Sequence, residues 1–208
     1  MTPSEYTNSV GQRAEQAVKS FLEGDGYKVI PYGVEYTLKD VAALSTEAYS
    51  ALHLSDVITS APDFFVLSPS KQGWWLLEVK YRKCWCDLAR DGLKKKLEMQ
   101  ARCWKRVVVL IAVKHPVGPD KLSTSYIRAC QLCMDSGRLM AYRTNSTEGR
   151  EWDAIEWDFL DPIEAVFGAC CQNMAGMKRL NKLVETIKKM PEDSSDKNMI
   201  DKNLLRKA

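Results

Sequence analysis

The chain has 208 residues, a length that fits one domain of ordinary size. Hydrophobic residues make up 45% of the sequence, which excludes a wholly disordered chain, and no apolar run reaches the ~20 residues that cross a bilayer. The net charge of +3 identifies no partner by itself, and the first residues lack the basic start and apolar stretch of a secretory signal. We therefore expect a soluble, cytoplasmic protein with no membrane partner.

Six elements are predicted over the first half of the chain. Apolar residues at helical spacing predict the helices, and short apolar runs between turn formers predict the strands. In order, they are a helix at 8–23, strands at 27–32, 63–67 and 74–81, a helix at 87–105 and a strand at 107–113. Residues 34–60 form an insertion between the first two strands. The turn formers of 68–73 join the next two strands as a hairpin.

The second half predicts further α/β elements. In order, they are a helix at 122–135 closed by Gly137, strands at 138–143 and 153–159, and a helix that runs from Asp161 toward Met190 with a possible break near Gly176. At the start of this last helix Asp161 can cap, Pro162 fits the first helical position, and Glu164 can complete a capping box. The sequence thus predicts a domain over 1–160, a C-terminal helical segment over 161–190 and a polar, disordered tail over 191–208.

The polar residues of the predicted hairpin are candidates for a catalytic site. Asp63 begins its first strand, and Glu78 and Lys80 end its second strand on the same face, because side chains alternate along a strand. An antiparallel hairpin brings these positions together. Two carboxylates and an ammonium are costly among apolar neighbours, and a Mg²⁺ ion, or Mn²⁺ in its place, would explain them because it prefers oxygen ligands. The alternative is a structural ion pair between Lys80 and a nearby carboxylate.

The segments Pro62-Asp63 and Glu78-Val79-Lys80, with helices on both sides, resemble the motif of the PD-(D/E)XK nuclease superfamily, to which restriction endonucleases and archaeal-type Holliday junction resolvases belong. The resemblance covers about half of the chain. It implies a restriction endonuclease-like αβββαβ core, with a central mixed sheet flanked by helices and with C-terminal α/β additions. It also implies that Asp63, Glu78 and the Val79 carbonyl bind the metal, while Lys80 assists the attacking water.

The resemblance implies two further site residues on the flanking helices. Many members of the superfamily carry an acidic residue on the first helix, and Glu15 occupies the corresponding place. The alternative for Glu15 is an ordinary solvent-facing glutamate. Several members carry a polar residue on the second helix that faces the site, and Gln100 is the candidate here.

Basic residues are concentrated just after the catalytic motif. The stretch 80–106 contains ten basic and three acidic residues, a local charge of +7. Such a field suits a phosphate backbone, with DNA as the expected partner and RNA left open. The candidates for this contact are Lys83, Lys94, Lys95, Gln100 and Arg102. The alternative for each lysine is a solvated helix face.

Two further patterns leave alternatives open. Cys84-x-Cys86 and Cys130-x-x-Cys133 could supply four zinc ligands, although we favour Cys130 and Cys133 as small buried residues on one face of a helix. A seam of apolar residues on the last helix could form a homodimer or could pack on the core of the same chain. The seam consists of Met177, Leu180, Val184 and Ile187.

Together these features predict a metal-dependent nuclease that hydrolyses DNA phosphodiester bonds through a metal-activated water. The alternative is a nucleic-acid-binding or scaffold protein that keeps the fold without catalysis. A third hypothesis is an enzyme that acts on RNA or on another phosphate ester.

Overall fold

The computed structural model of the chain describes residues 3–42, 44–117, 122, 125–144, 146–168 and 173–191. Within these ranges, helices surround one eight-stranded sheet. The helices are α1 (Pro3–Gly24), α2 (Val34–Thr37), α3 (Lys39–Ala42), α4 (Thr46–Ala51), α5 (Asp56–Thr59), α6 (Asp87–Cys103), α7 (Ile163–Val166) and α8 (Met174–Lys189). The strands are β1 (Lys28–Pro31), β2 (Phe64–Leu67), β3 (Trp74–Arg82), β4 (Val107–Val113), β5 (Ile127–Asp135), β6 (Arg138–Tyr142), β7 (Gly149–Glu151) and β8 (Asp161–Pro162).

The sheet is mixed but mostly antiparallel. Its strands follow the order β1-β2-β3-β4-β5-β6-β7, and β8 pairs with the start of β5. The β3–β4 pair is parallel, because α6 carries the chain across the sheet between these two strands. The other described pairs are antiparallel. The molecule is therefore a mixed α/β protein with an open sheet flanked by helices.

Strand β4 divides the core into two halves. All seven of its residues are buried, and the six from Val108 to Val113 alternate between two hydrophobic clusters. Val108 and Leu110 pack toward α1 and α8, whereas Val109 and Ile111 pack toward α6. Fully burying such a side chain contributes roughly 1.5–3 kcal/mol, so this central strand anchors both layers of helices.

The six elements expected in the first half of the chain are present. Helix α1 begins earlier than expected, at Pro3, and the predicted hairpin is formed by β2 and β3 with Ser68 and Gly73 hydrogen-bonded across the turn. The insertion at 34–60 contains the short helices α2 to α5. The hairpin and α6 are the elements that position the candidate site.

The predicted helix at 122–135 is wrong, because residues 127–135 form strand β5. This strand is covered on both faces, so residues that point to opposite sides of the sheet are both buried. The resulting spacing of apolar residues resembles that of a helix. Ser136 and Gly137 both have positive φ, as a tight hairpin turn to β6 requires. Gly137 therefore closes a hairpin and not a helix.

The chain after β7 also differs from the prediction. Residues 153–159 were expected to form a strand, but Trp152–Ala154 and Trp157–Phe159 are 3₁₀ turns whose apolar side chains cover the α6 side of the sheet. Asp161 does not cap a helix, because it pairs with β5 and its carboxylate accepts hydrogen bonds from Arg143 and Thr144. Helix α7 is a single turn.

The C-terminal helix belongs to the main core. Asn173 caps it by accepting a hydrogen bond from Gly176 at 2.8 Å, so Gly176 lies in the first turn of α8. Leu180, Val184 and Ile187 of the apolar seam are buried in the same cluster as α1. Packing on the chain's own core therefore occupies three of the four seam positions, while Met177 is exposed.

Other expectations concern membranes, the tail and the cysteines. The described helices include none with the length and apolar character of a membrane span. Residues 192–208 of the expected disordered tail lie outside the described residues.

Cys130 is buried and Cys133 is exposed on strand β5, so these two thiols do not share one face as the helical interpretation required.

Candidate active site

The β2–β3 hairpin brings Asp63 and Glu78 together. Phe64 pairs with Leu77, so Asp63, which precedes β2, lies beside Glu78 on the neighbouring strand. An Asp63 carboxylate oxygen accepts a hydrogen bond from the Val79 N–H at 2.7 Å, which fixes the side chain against β3. Both carboxylates are buried. The juxtaposition expected from the hairpin is therefore confirmed.

Three nitrogen groups surround the Glu78 carboxylate. Its Oε1 atom forms an ion pair with Lys80 and lies 3.0 Å from the ammonium of Lys96. Its Oε2 atom accepts a hydrogen bond from the Gln100 amide at 2.6 Å. Lys80 also donates to the Val79 carbonyl at 3.3 Å. Glu78 is thus held rigidly at the end of the buried part of β3.

The pKa values of the two carboxylates differ because of burial and the charges around them. Burial raises the pKa of Asp63 to about 8, helped by the negative charges of Glu78 and Glu15 and opposed by Lys80 and Lys96. Burial alone would also raise the pKa of Glu78, but the ammonium groups of Lys80 and Lys96 lower it to about 2. Glu78 is therefore the more acidic member of the pair, and Asp63 is the less acidic one.

A cleft of about 210 Å³ opens beside these carboxylates, between α1 and α6. Glu15 lines it from α1, Lys80 from β3 and Lys96 from α6. Glu15 is buried, so its side chain faces the cleft and not bulk solvent. Of the two alternatives for Glu15, the structure supports the inward one.

Lys96 is a site residue that the sequence interpretation missed. In the sequence it stands next to Lys94 and Lys95 within the basic stretch 80–106, and nothing in the composition sets it apart from them. The signal that could have identified it is its spacing from Gln100, since residues four apart lie on the same face of a helix. Burial would lower the pKa of Lys96, but Glu78 and Asp63 raise it above its ordinary value.

The residues expected to contact nucleic acid do not form one surface. Gln100 is buried and donates to Glu78, so it orients a carboxylate and is not exposed to a ligand. Lys94 pairs with Asp153 of the same chain. Lys95 and Arg102 are exposed seven residues apart, on the side of α6 that faces away from Gln100, and Lys83 is half-buried after β3.

The donors in the site suit a hard divalent cation. Asp63, Glu78 and the Val79 carbonyl supply oxygen atoms only, and burial followed by the charge of Glu78 raises the pKa of Asp63. Mg²⁺ binds through one or two carboxylates and retains several waters, so two buried carboxylates are enough for it. Across the described residues, no cluster of three or more His, Cys, Asp or Glu side chains is placed to hold a metal ion by itself. The residues therefore fit Mg²⁺ better than zinc.

Comparisons of the chain with protein-family models, with curated proteins and with solved structures found no match. The chemistry of the site is therefore inferred from its own residues.

Proposed function

We propose that this chain is a metal-dependent nuclease of the PD-(D/E)XK type that hydrolyses DNA phosphodiester bonds through a metal-activated water. The observation that supports this proposal most strongly is the convergence of Asp63, Glu78 and Lys80 at one end of the β2–β3 hairpin. The order α1, β1, β2, β3, α6, β4 agrees with the restriction endonuclease-like core that the motif implies. The antiparallel β1–β2–β3 pairing and the parallel β3–β4 pairing make this part of the sheet mixed, which also supports the proposal.

Each residue of the site has a role in the proposed reaction. Asp63, Glu78 and the Val79 carbonyl would hold Mg²⁺ or Mn²⁺, and Gln100 keeps the Glu78 carboxylate oriented. The bound ion would stabilise charge on the phosphate and lower the pKa of a water. The ammonium of Lys80 lies beside Glu78, where it can position that water and stabilise developing negative charge.

Two features support DNA as the substrate and a cytoplasmic setting. The stretch 80–106 carries a charge of +7, and its residues Lys95 and Arg102 are exposed together on one side of α6, which suits a phosphate backbone. None of the cysteines in the described part of the chain forms a disulfide, as expected for a reducing compartment.

The test is cleavage of a panel of linear, supercoiled, branched and single-stranded DNA, with RNA as a separate arm. Mg²⁺, Mn²⁺ and chelator are compared. We expect metal-dependent cutting that falls by about 10³-fold or more in Lys80→Ala and Asp63→Asn. The control is Lys178→Ala, an exposed lysine on α8 outside the site.

Three outcomes oppose this proposal. Cutting that survives chelator would exclude the metal mechanism. Cutting of RNA alone would change the substrate. No cutting by any form, together with salt-sensitive DNA binding, would favour the scaffold alternative.

A further inference from the structure

Lys96 occupies a position that a bound cation would need. Its ammonium lies 3.0 Å from Oε1 of Glu78, the same oxygen that Lys80 contacts. The other oxygen, Oε2, accepts a hydrogen bond from Gln100. A divalent cation that Glu78 binds through Oε1 would therefore be close to two ammonium groups of like charge. One of them must withdraw.

Of the two lysines, Lys96 is the one that can withdraw easily. The side chain of Lys96 is 51% exposed, whereas that of Lys80 is 12% exposed. Lys80 also donates to the Val79 carbonyl, which gives it a second anchor on β3. Lys96 lines the open cleft, so its flexible stem can carry the ammonium into the cleft without unpacking the core.

The charges around the cleft show what the withdrawn lysine could then bind. Glu15, Lys80 and Lys96 line the cleft, and Glu78 and Asp63 lie next to the two lysines, so three carboxylates and two ammonium groups give a formal balance of −1 when all are ionised. A divalent cation changes this balance to +1, and one phosphodiester group returns it to zero. Without Lys96 the site would attract the cation more strongly and the phosphate less strongly.

We infer that Lys96 is a second active-site ammonium, which competes with the divalent cation for Glu78 and binds the substrate phosphate once displaced. The inference rests on the proposed function and deepens it, because it gives the site a residue that links cation binding to substrate binding. In this arrangement Lys80 keeps its hydrogen bond to the Val79 carbonyl on β3. Lys96 leaves Glu78 and binds the substrate phosphate in the adjoining cleft.

The first test measures cation affinity in the absence of nucleic acid. Isothermal titration of Mn²⁺ or Mg²⁺ into the full chain should give a Kd about 3- to 10-fold tighter for Lys96→Met than for wild type, because a competing positive charge is removed. Lys96→Arg keeps the charge and should remain near the wild-type Kd. Lys178→Met, a charge removed from an exposed position on α8, should leave the Kd unchanged.

The second test separates KM from kcat for DNA cleavage at saturating metal. Lys96→Met should raise the KM for DNA about 10-fold, since a charge-assisted contact to phosphate is lost. The concentration of Mg²⁺ that gives half the maximal rate should fall in the same variant. Lys96→Arg should restore the KM toward the wild-type value.

The outcomes distinguish this inference from the proposed function. If the wild type neither binds the cation nor cleaves DNA, both the proposed function and the role of Lys96 are refuted. If the wild type binds and cleaves but Lys96→Met has an unchanged or weaker cation affinity, the competition is overturned while the nuclease proposal stands. If the cation binds more tightly but the KM for DNA does not change, Lys96 is not the phosphate ligand.

Discussion

Asp63 and Asp161 are both buried carboxylates beside short strands, but their surroundings differ. Asp161 accepts a hydrogen bond from Arg143 at 3.0 Å and another from the Thr144 N–H, so each of its oxygens has a donor. Asp63 accepts one from the Val79 N–H, and its pKa is raised first by burial and then by the neighbouring Glu78 carboxylate. Both oxygens of Asp161 therefore have a donor, whereas Asp63 is buried next to a second carboxylate.

The difference indicates what a buried acid is for. A buried carboxylate with a matched arginine and N–H joins two segments, here the end of β6 and the start of β8, and stabilises the fold. Adjacent buried carboxylates repel each other and lower the stability of the folded protein, and a bound cation would reduce this repulsion. Burial alone therefore does not distinguish the two acids, whereas the groups around each carboxylate do.

Asp161→Ala tests the structural side of this comparison, with the largest expected effect on stability. Loss of the carboxylate leaves the Thr144 N–H without its acceptor and removes the ion pair with the half-exposed Arg143, so we expect the free energy of unfolding to fall by about 3 kcal/mol. Urea denaturation measures it. DNA cleavage per folded molecule should not change. A stable but inactive Asp161→Ala would contradict the division between the two regions.

Asp63→Asn tests the functional side, with a smaller effect of opposite sign. The pKa of Asp63 is raised from 3.8 to about 8 in the folded protein, so wild type loses stability as pH rises between these values. Asparagine does not ionise and can still accept from the Val79 N–H. In chelator at pH 9 the variant should be more stable than wild type by about 2 kcal/mol, with little difference at pH 4.

Thermal and urea unfolding at these two pH values measure the effect. A variant less stable than wild type at pH 9 would mean that the ionised carboxylate is well accommodated without a cation. The comparison between Asp63 and Asp161 would then fail.

Much of the first half of the fold could be predicted from sequence, because its signals are local. The turn at 68–73 lies between two apolar strands, and β4 is a continuous apolar run. The second half could not be predicted so well. Strand β5 is covered on both faces, so Ala129 and Cys130 are both buried and the alternation that identifies a strand is lost. Besides its hairpin partner β6, it pairs with β4 and β8, whose residues are more distant in the sequence.

The candidate site divides in the same way. Asp63, Glu78 and Lys80 could be identified because one hairpin brings them together. Lys96 could not be separated from Lys94 and Lys95 by composition, since its role depends on which face of α6 meets β3. Gln100 was expected to face the site, but its burial against Glu78 follows from packing that only the folded chain supplies.

The central claim is that Asp63 and Glu78 hold a divalent cation, and anomalous diffraction from crystals grown with Mn²⁺ tests it most directly. We predict an anomalous peak between the two carboxylates, at metal–oxygen distances near the ~2.0–2.2 Å of hard divalent ions, with Lys96 withdrawn from Glu78. A Mn²⁺-saturated crystal with no peak there, and with Lys80 and Lys96 still on Glu78, would contradict the account.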